Sequence, residues 1–229
     1  MKLTTYFQTW WEIIFRPIHF YTKLRGEEWR GGPLSFLITT SWLLGFVASL
    51  VVFFLQYVPI GKTLIEGVEP AKYIFILPVL VTLAFVFFLI TFLILGGLFT
   101  SLFFVMFYVA AIVLHYVFLF LGGSGSLNQK IQNIFYSSAA LLFAVIIFGL
   151  MFLTKQTAFS FELFRSGFNA IYFLICLYMY GLWAVSGRKN YGIAKWKAFL
   201  GALIPLVVLL IFGFLFDKIA LSKFAPWIS

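Results

Sequence analysis

The chain opens with a stretch in which hydrophobic and polar positions interleave. Over residues 1–33, Phe7, Trp10, Trp11, Ile14, Phe15 and Ile18 recur at roughly helical spacing, and Lys2, Glu12, Arg16, Lys23 and Arg25 fill the gaps. That pattern predicts an amphipathic helix, which Pro17 should break or kink. Paired Trp10 and Trp11 beside basic residues suit an element lying in the headgroup plane. An ordinary lead-in to the first span is the plainer reading. Pro33 then opens an apolar run over 34–56, long enough to cross a hydrocarbon core about 30 Å thick. Residues 57–72, with Pro59, Gly61, Lys62, Glu66, Glu69, Pro70 and Lys72, read as a short loop.

From Tyr73 to Leu121 no residue carries a formal charge. As one straight helix at about 1.5 Å per residue, this run would reach roughly 74 Å, far beyond one crossing. A turn at Gly96-Gly97 would make it two. Further apolar segments follow at 134–153, 168–186 and 198–216. Pro205 falls inside the last, where neighbouring helices can tolerate it. Between the second and third segments lies a polar break, Gly122-Gly123-Ser124-Gly125-Ser126, followed by Asn128, Gln129, Lys130, Gln132 and Asn133.

Charge bears on the number of crossings, because basic residues favour the cytoplasmic side. If 73–121 crosses once, the N-terminus, the glycine-rich break and the Arg188–Lys197 segment share a side. That side holds ten basic and three acidic residues, against six and four opposite. If it crosses twice, the asymmetry vanishes. The expectation is therefore an all-α bundle of five transmembrane helices, with 73–95 a kinked, re-entrant or protruding extension of the second span. Six crossings stands as the alternative. Residues 1–33 form a cytoplasmic interfacial segment, and 34–229 a single helical transmembrane domain.

Composition agrees. The chain is 63% hydrophobic and 10% charged, with mean hydropathy +1.07, whereas soluble domains carry about 25% charged residues. Its net charge of +9 is read as basic residues flanking spans and meeting anionic headgroups, with no nucleic-acid role. Cys176, alone in an apolar run, supplies no disulfide framework. The N-terminus lacks a compact apolar core before a small-residue cleavage site, so no cleaved signal peptide is expected. Trp227 is expected to anchor the C-terminus at an interface.

Candidate chemistry is sparse. The acids Glu12, Glu27, Glu28, Glu66, Glu69, Glu162 and Asp217 all fall in loops, interfacial segments or span ends. No pair occupies mid-membrane, where a proton relay would need one. His19 and His115 lie in different segments, and no cluster has metal-ligand spacing. No cofactor, metal or catalysis is therefore expected. His115, about two turns before the break, is a helix-end histidine bonded to a neighbouring carbonyl or, more sharply, a pH-responsive or ligand-contacting group. Gly122, Gly123, Gly125 and Ser126 form a tight helix-to-helix turn or, less simply, a phosphate-cradling loop. They lack the Lys-Ser/Thr of a P-loop. Tyr136, Ser137 and Ser138 offer a small polar face for interhelical packing. Arg188, Lys189, Lys195 and Lys197 are a topological signal or a headgroup and partner site, and the amide-rich run could extend that surface. Trp10 and Trp11 are further candidates for lipid contact.

Three stretches in order carry a family resemblance. They are His115 to Ser126, the polar run into Tyr136-Ser137-Ser138, and YMYGLWAVSGRKNYGIAKWKAFLGALIP, where a span ends at Gly181 before a basic loop. RPIHFYTKL near the N-terminus adds a Pro-aromatic entry. Together they resemble the Ypt-interacting-protein (YIP) family of small multispanning membrane proteins. Two features depart from it: Ala139-Ala140 stands where Pro is common, and the second apolar segment is longer than usual. The long cytosolic arm of many eukaryotic members is also missing, so the likeness is to a prokaryotic member in a plasma membrane, N-terminus cytoplasmic. The resemblance implies five spans, no cofactor and no established catalysis. Eukaryotic relatives act in membrane traffic and bind Rab/Ypt GTPases. The expected function is a non-enzymatic protein that organises membrane or partner proteins through its cytoplasmic face. A solute or lipid transporter is the alternative, although Gln56, Thr82, Thr91, Thr100, Ser101, Asn169 and Ser186 are too scattered to outline a path.

Overall fold

The computed structural model describes residues 2–24, 28–66, 68, 72–156 and 160–225. Arg25, Glu27, Glu69, Pro70 and Trp227, singled out above, lie outside them. The described residues form helices and no strand: α1 (Leu3–Phe15), α2 (Pro17–Lys23), α3 (Gly32–Val52), α4 (Val58–Glu66), α5 (Tyr73–Phe120), α6 (Leu127–Ser137), α7 (Ala144–Gln156), α8 (Phe161–Tyr191) and α9 (Lys195–Ile219). A π turn, Phe53–Tyr57, joins α3 to α4, and a 3₁₀ segment, Ser138–Phe143, joins α6 to α7. Five stretches are thereby long and apolar enough to cross a membrane: Gly32–Glu66, Ile74–Phe120, Leu127–Thr154, Phe161–Tyr191 and Lys195–Lys223.

The long uncharged run is one helix. Gly96 and Gly97 make no turn. A Cβ on Gly45 of α3 would fall 2.9 Å from the Gly96 backbone, and one on Gly96 would fall 2.7 Å from the Trp42 ring. Small residues here let two helices touch backbone to backbone. The six-crossing alternative needs a reversal that the unbroken α5 excludes. Residues 57–72 differ from the loop expected: the π turn carries α3 onward into α4, so the first span runs to Glu66. A π turn admits one extra residue without breaking the helix, and Pro59, which supplies no N–H, follows just after it, where the hydrogen-bond register changes.

The hairpin of α3–α4 with α5 outreaches its neighbours. Phe54 meets Phe152, near the end of α7, at 6.2 Å between ring centroids. α4 and the facing part of α5 therefore continue past α7. At the opposite end, the span expected over 168–186 extends to Tyr191. Gly181 is mid-helix, Arg188 and Lys189 occupy the last turn, and only Gly192-Ile193-Ala194 separates α8 from α9. Gly192, with φ +65°, closes α8 in the left-handed conformation that glycine adopts at low cost.

α1 and α2 break apart at Pro17 and fill a groove between α3, the 3₁₀ segment and α8. Tyr6 is hydrogen-bonded to Thr40 (2.8 Å), Trp10 Nε1 donates to the Ala139 carbonyl (2.9 Å), and the Tyr178 hydroxyl donates to the Ile14 carbonyl. Ala139 and Ala140 are fully buried, and the small side chain of Ala139 lets α1 approach. Phe7, Trp11 and Phe15 face outward, about half exposed, beside Gln8, Glu12 and Arg16.

Candidate functional site at the basic end of the bundle

The glycine-rich break resolves into three local devices. Gly122 (φ +89°) caps α5: its N–H donates to Leu119 O (2.9 Å), and the Gly123 N–H donates to Phe118 O (2.9 Å). This is the paired arrangement that satisfies a helix's last carbonyls. Ser126 caps α6 by accepting from the Gln129 N–H (3.2 Å). Gly123 and Gly125 leave room for Tyr191, whose side chain would lie 2.8–2.9 Å from a Cβ at either position. The break is a turn built around an aromatic residue from α8.

Tyr191 ties the end together. Its hydroxyl lies 2.6 Å from His115 Nδ1 and 3.4 Å from the Ser126 carbonyl, and its own carbonyl accepts from the Ser124 N–H (3.1 Å). His115 thus pairs with a phenol from another helix, where a neighbouring carbonyl was expected.

Deeper in, α6 carries a buried lysine amine. The run Asn128 to Asn133 was expected to help form a docking surface. It is instead the first turns of α6, and Lys130, Gln132 and Asn133 are fully buried. Lys130 Nζ donates to Ser186 Oγ (2.9 Å) and stands 4.3 Å from the centroid of the Phe118 ring and 5.8 Å from that of Tyr191. Among the described residues no carboxylate pairs with it. Burying a lysine without a carboxylate partner is expensive, and the hydroxyl and the aromatic face offset part of that cost. Phe118 is itself clamped, because a Cβ at Gly187 of α8 or Gly201 of α9 would fall 2.5 or 2.7 Å from its ring. Ser186 donates to the Trp183 carbonyl, and Trp183 Nε1 donates to Ser137 Oγ (2.7 Å). Four helices therefore meet around one amine. Tyr136 and Ser137 are both buried, and Ser137 provides the polar packing contact expected of the Tyr-Ser-Ser stretch.

The basic residues of this end divide by role. Lys197 turns inward and donates to the Leu121 carbonyl at the end of α5 (3.1 Å), where a cation opposes the helix dipole. Arg188, Lys189 and Lys195 remain exposed, as does Trp196 (65%). The Lys197–Leu121 and Ser124–Tyr191 bonds place the turn and this cluster at one end. Trp29, packed on Phe104, Tyr108 and Phe135, brings the lead-in to α3 there too.

A second polar knot lies at the opposite end. Arg165 donates Nε to Asp217 Oδ1 (2.7 Å) and a terminal nitrogen to Oδ2 (2.6 Å), while Asn169 Nδ2 donates to Oδ1 (3.1 Å). This fork is the geometry guanidinium and carboxylate favour, and it locks α8 to α9. Sequence reasoning missed both knots. Lys130, Ile134 and Ser137 do recur at helical spacing, but that signal is visible only once α6 is known to start at Leu127. Among the described residues, no group of His, Cys, Asp or Glu could hold a metal ion.

Five membrane-length helices, with a buried polar knot joining α5, α6, α8 and α9 at one end and a part-buried one joining α8 to α9 at the other, define an all-α, multispanning integral membrane protein. No family model matches the chain, and no curated protein or solved structure does either.

Proposed function

We propose that the protein is a non-enzymatic membrane organiser of the YIP type. In this reading it works through its basic end, which faces the cytoplasm of a prokaryotic plasma membrane. The observation that carries this is the exposed set Arg188, Lys189, Lys195 and Trp196 beside a rigid turn. Each basic residue near an anionic surface contributes about 1 kcal/mol of attraction, and an exposed Trp suits the headgroup layer. α2 adjoins this face, Tyr21 donating to the Asn133 carbonyl of α6 (3.2 Å). Support over a transport reading comes from the polar residues that could have lined a path. Thr82 and Thr100 bond carbonyls of their own helix, Thr91 meets Tyr57, Ser186 meets Lys130 and Asn169 meets Asp217.

The test is reconstitution of the full chain into vesicles containing a fluorescent anionic phospholipid. Energy transfer from protein to lipid should show local enrichment, abolished by Arg188→Glu/Lys189→Glu/Lys195→Glu and by molar salt, where the Debye length falls to about 3 Å. Equal transfer for the reversed and wild-type chains would overturn the proposal. Cysteines at Ser124 and Lys189 should label from one side of the membrane and a cysteine at Ser222 from the other.

A further inference from the structure

Between α4 and the amino-terminal half of α5 the protein leaves space that its own side chains do not fill. None of the residues of α4 is buried, although α5 runs beside it. Tyr57, Gly61, Leu80 and Ala84 line the gap on both sides of the hairpin. It opens as a groove of about 660 Å³ on one side and about 320 Å³ on the other. A Cβ on Gly61 would meet nothing within 4 Å. The contrast with Gly45 and Gly96, where the same two stretches touch backbone to backbone, is local: the gap begins where the π turn starts.

Packed helices interdigitate at near-crystalline density, so a hollow of this size asks for a filler. Its walls are apolar, Phe53, Phe85 and Phe88 among them, and Lys62 and Glu66 stand at its outer end. Apolar hollows stay dry. In a membrane the apolar filler at hand is a lipid chain. From Leu50 to Glu66 the groove runs about 24 Å at 1.5 Å per residue, more than the roughly 15 Å that one leaflet occupies of a 30 Å core. Lys62 holds Glu66 only loosely, at 3.9 Å with its side chain 78% exposed, and is free to meet a phosphate.

We propose that this groove binds one phospholipid of the surrounding bilayer, an acyl chain lying between α4 and α5 and the phosphodiester beside Lys62. The site requires only that the chain be an integral membrane protein. It is remote from the basic end, and either proposal can fail without the other.

The experiment is native mass spectrometry of the full chain, purified in mild detergent and exchanged into phospholipid-free detergent. Wild type should retain one phospholipid mass. Gly61→Leu/Ala84→Leu, which fills the groove from both walls, should cut that retention at least tenfold, and Lys62→Glu should shift what remains from anionic to zwitterionic lipid. A bare wild-type chain, or equal retention by the filled variant, overturns the proposal. So does a mass increment equal to a second chain. Should the filled variant fail to fold, a benzoyl-phenylalanine at Leu80 in native membranes decides: a phospholipid adduct supports the site, and a protein adduct overturns it.

Discussion

The side-chain nitrogen of Lys130 lies 4.3 Å from the centroid of the Phe118 ring, and its hydrogen-bond acceptor is a serine hydroxyl. The ring is pinned between two glycines, so it cannot turn away, and the amine is held by a π face and one oxygen. Buried ionic groups are often retained at a net cost, and replacing them with apolar residues of similar volume can be neutral or stabilising. Lys130→Met should therefore unfold no more readily than wild type. Ser186→Ala, which strands the amine, should cost about 1–3 kcal/mol. Reversible unfolding in mixed micelles measures both. A Lys130→Met chain weaker than Ser186→Ala would mean the amine itself stabilises the fold.

The contact of Gly45 with Gly96 separates two neighbouring glycines by role. Gly96→Ala should weaken α3–α5 packing, since its Cβ would press on Trp42 at 2.7 Å, by about 1–3 kcal/mol for an overpacked site. Gly97→Ala meets nothing within 4 Å and should stabilise α5 by up to about 1 kcal/mol through helix propensity. Thermal unfolding of the two variants checks the order. Equal destabilisation would argue for the turn that the continuous helix excludes.

At the other end, the fork of Arg165 on Asp217 predicts non-additivity. Asp217→Asn and Arg165→Gln should each destabilise the α8–α9 pair, and the double variant should lose little more than either alone. The exposed Lys62–Glu66 pair should show almost no coupling in the same measurement. Comparable coupling at the two pairs would sink the assignment of Arg165–Asp217 as a lock.

Tyr6 gives the docking of α1 a pH dependence. Burial pushes its hydroxyl up from 10 to about 12, against a smaller lowering by its bond to Thr40. A group raised in the folded state contributes stability that is complete below its unfolded value. That stability drains away as pH climbs through the folded one. Tyr21, buried more deeply, shifts in the same direction. Amide exchange in α1 should therefore accelerate between about pH 10 and 12 relative to the bundle, and Tyr6→Phe should make that rise shallower. An identical rise in the variant would remove Tyr6 from the cause.

Much of the fold was legible because lipid imposes long apolar runs, and charges mark where the runs end. Pro17 and Pro33 marked helix boundaries for the steric reasons that make proline a local signal. What misled was polarity within a helix. Asn128 to Asn133 looked like a loop, yet the side chains of Lys130, Gln132 and Asn133 are buried, and Lys130 donates to Ser186, fifty-six residues away. Arg188 and Lys189 looked like a loop for the same reason, though they are the exposed last turn of α8. At Gly96-Gly97 the glycines suggested a turn, whereas α5 runs through them unbroken and packs there on Gly45 and Trp42, partners some fifty residues away. The site was harder still. His115 could be placed near the break by counting turns, but its partner Tyr191 is set by the pairing of α5 with α8, which local spacing does not encode.

The uneven anchoring of α5 has a mechanical consequence. Its fully buried side chains, Phe107, Ala111, Leu114 and Phe118, all lie beyond Gly96, and none is buried between residues 74 and 95. One half is clamped among four helices and the other leans on a single neighbour, so the helix is a lever with its fulcrum at Gly96. A swing of about 10° there would carry the Tyr73 end roughly 6 Å, over an arm of about 35 Å at 1.5 Å per residue. Small strains in the leaflet at that end would thus be delivered, amplified in force, to the glycine contact at the fulcrum.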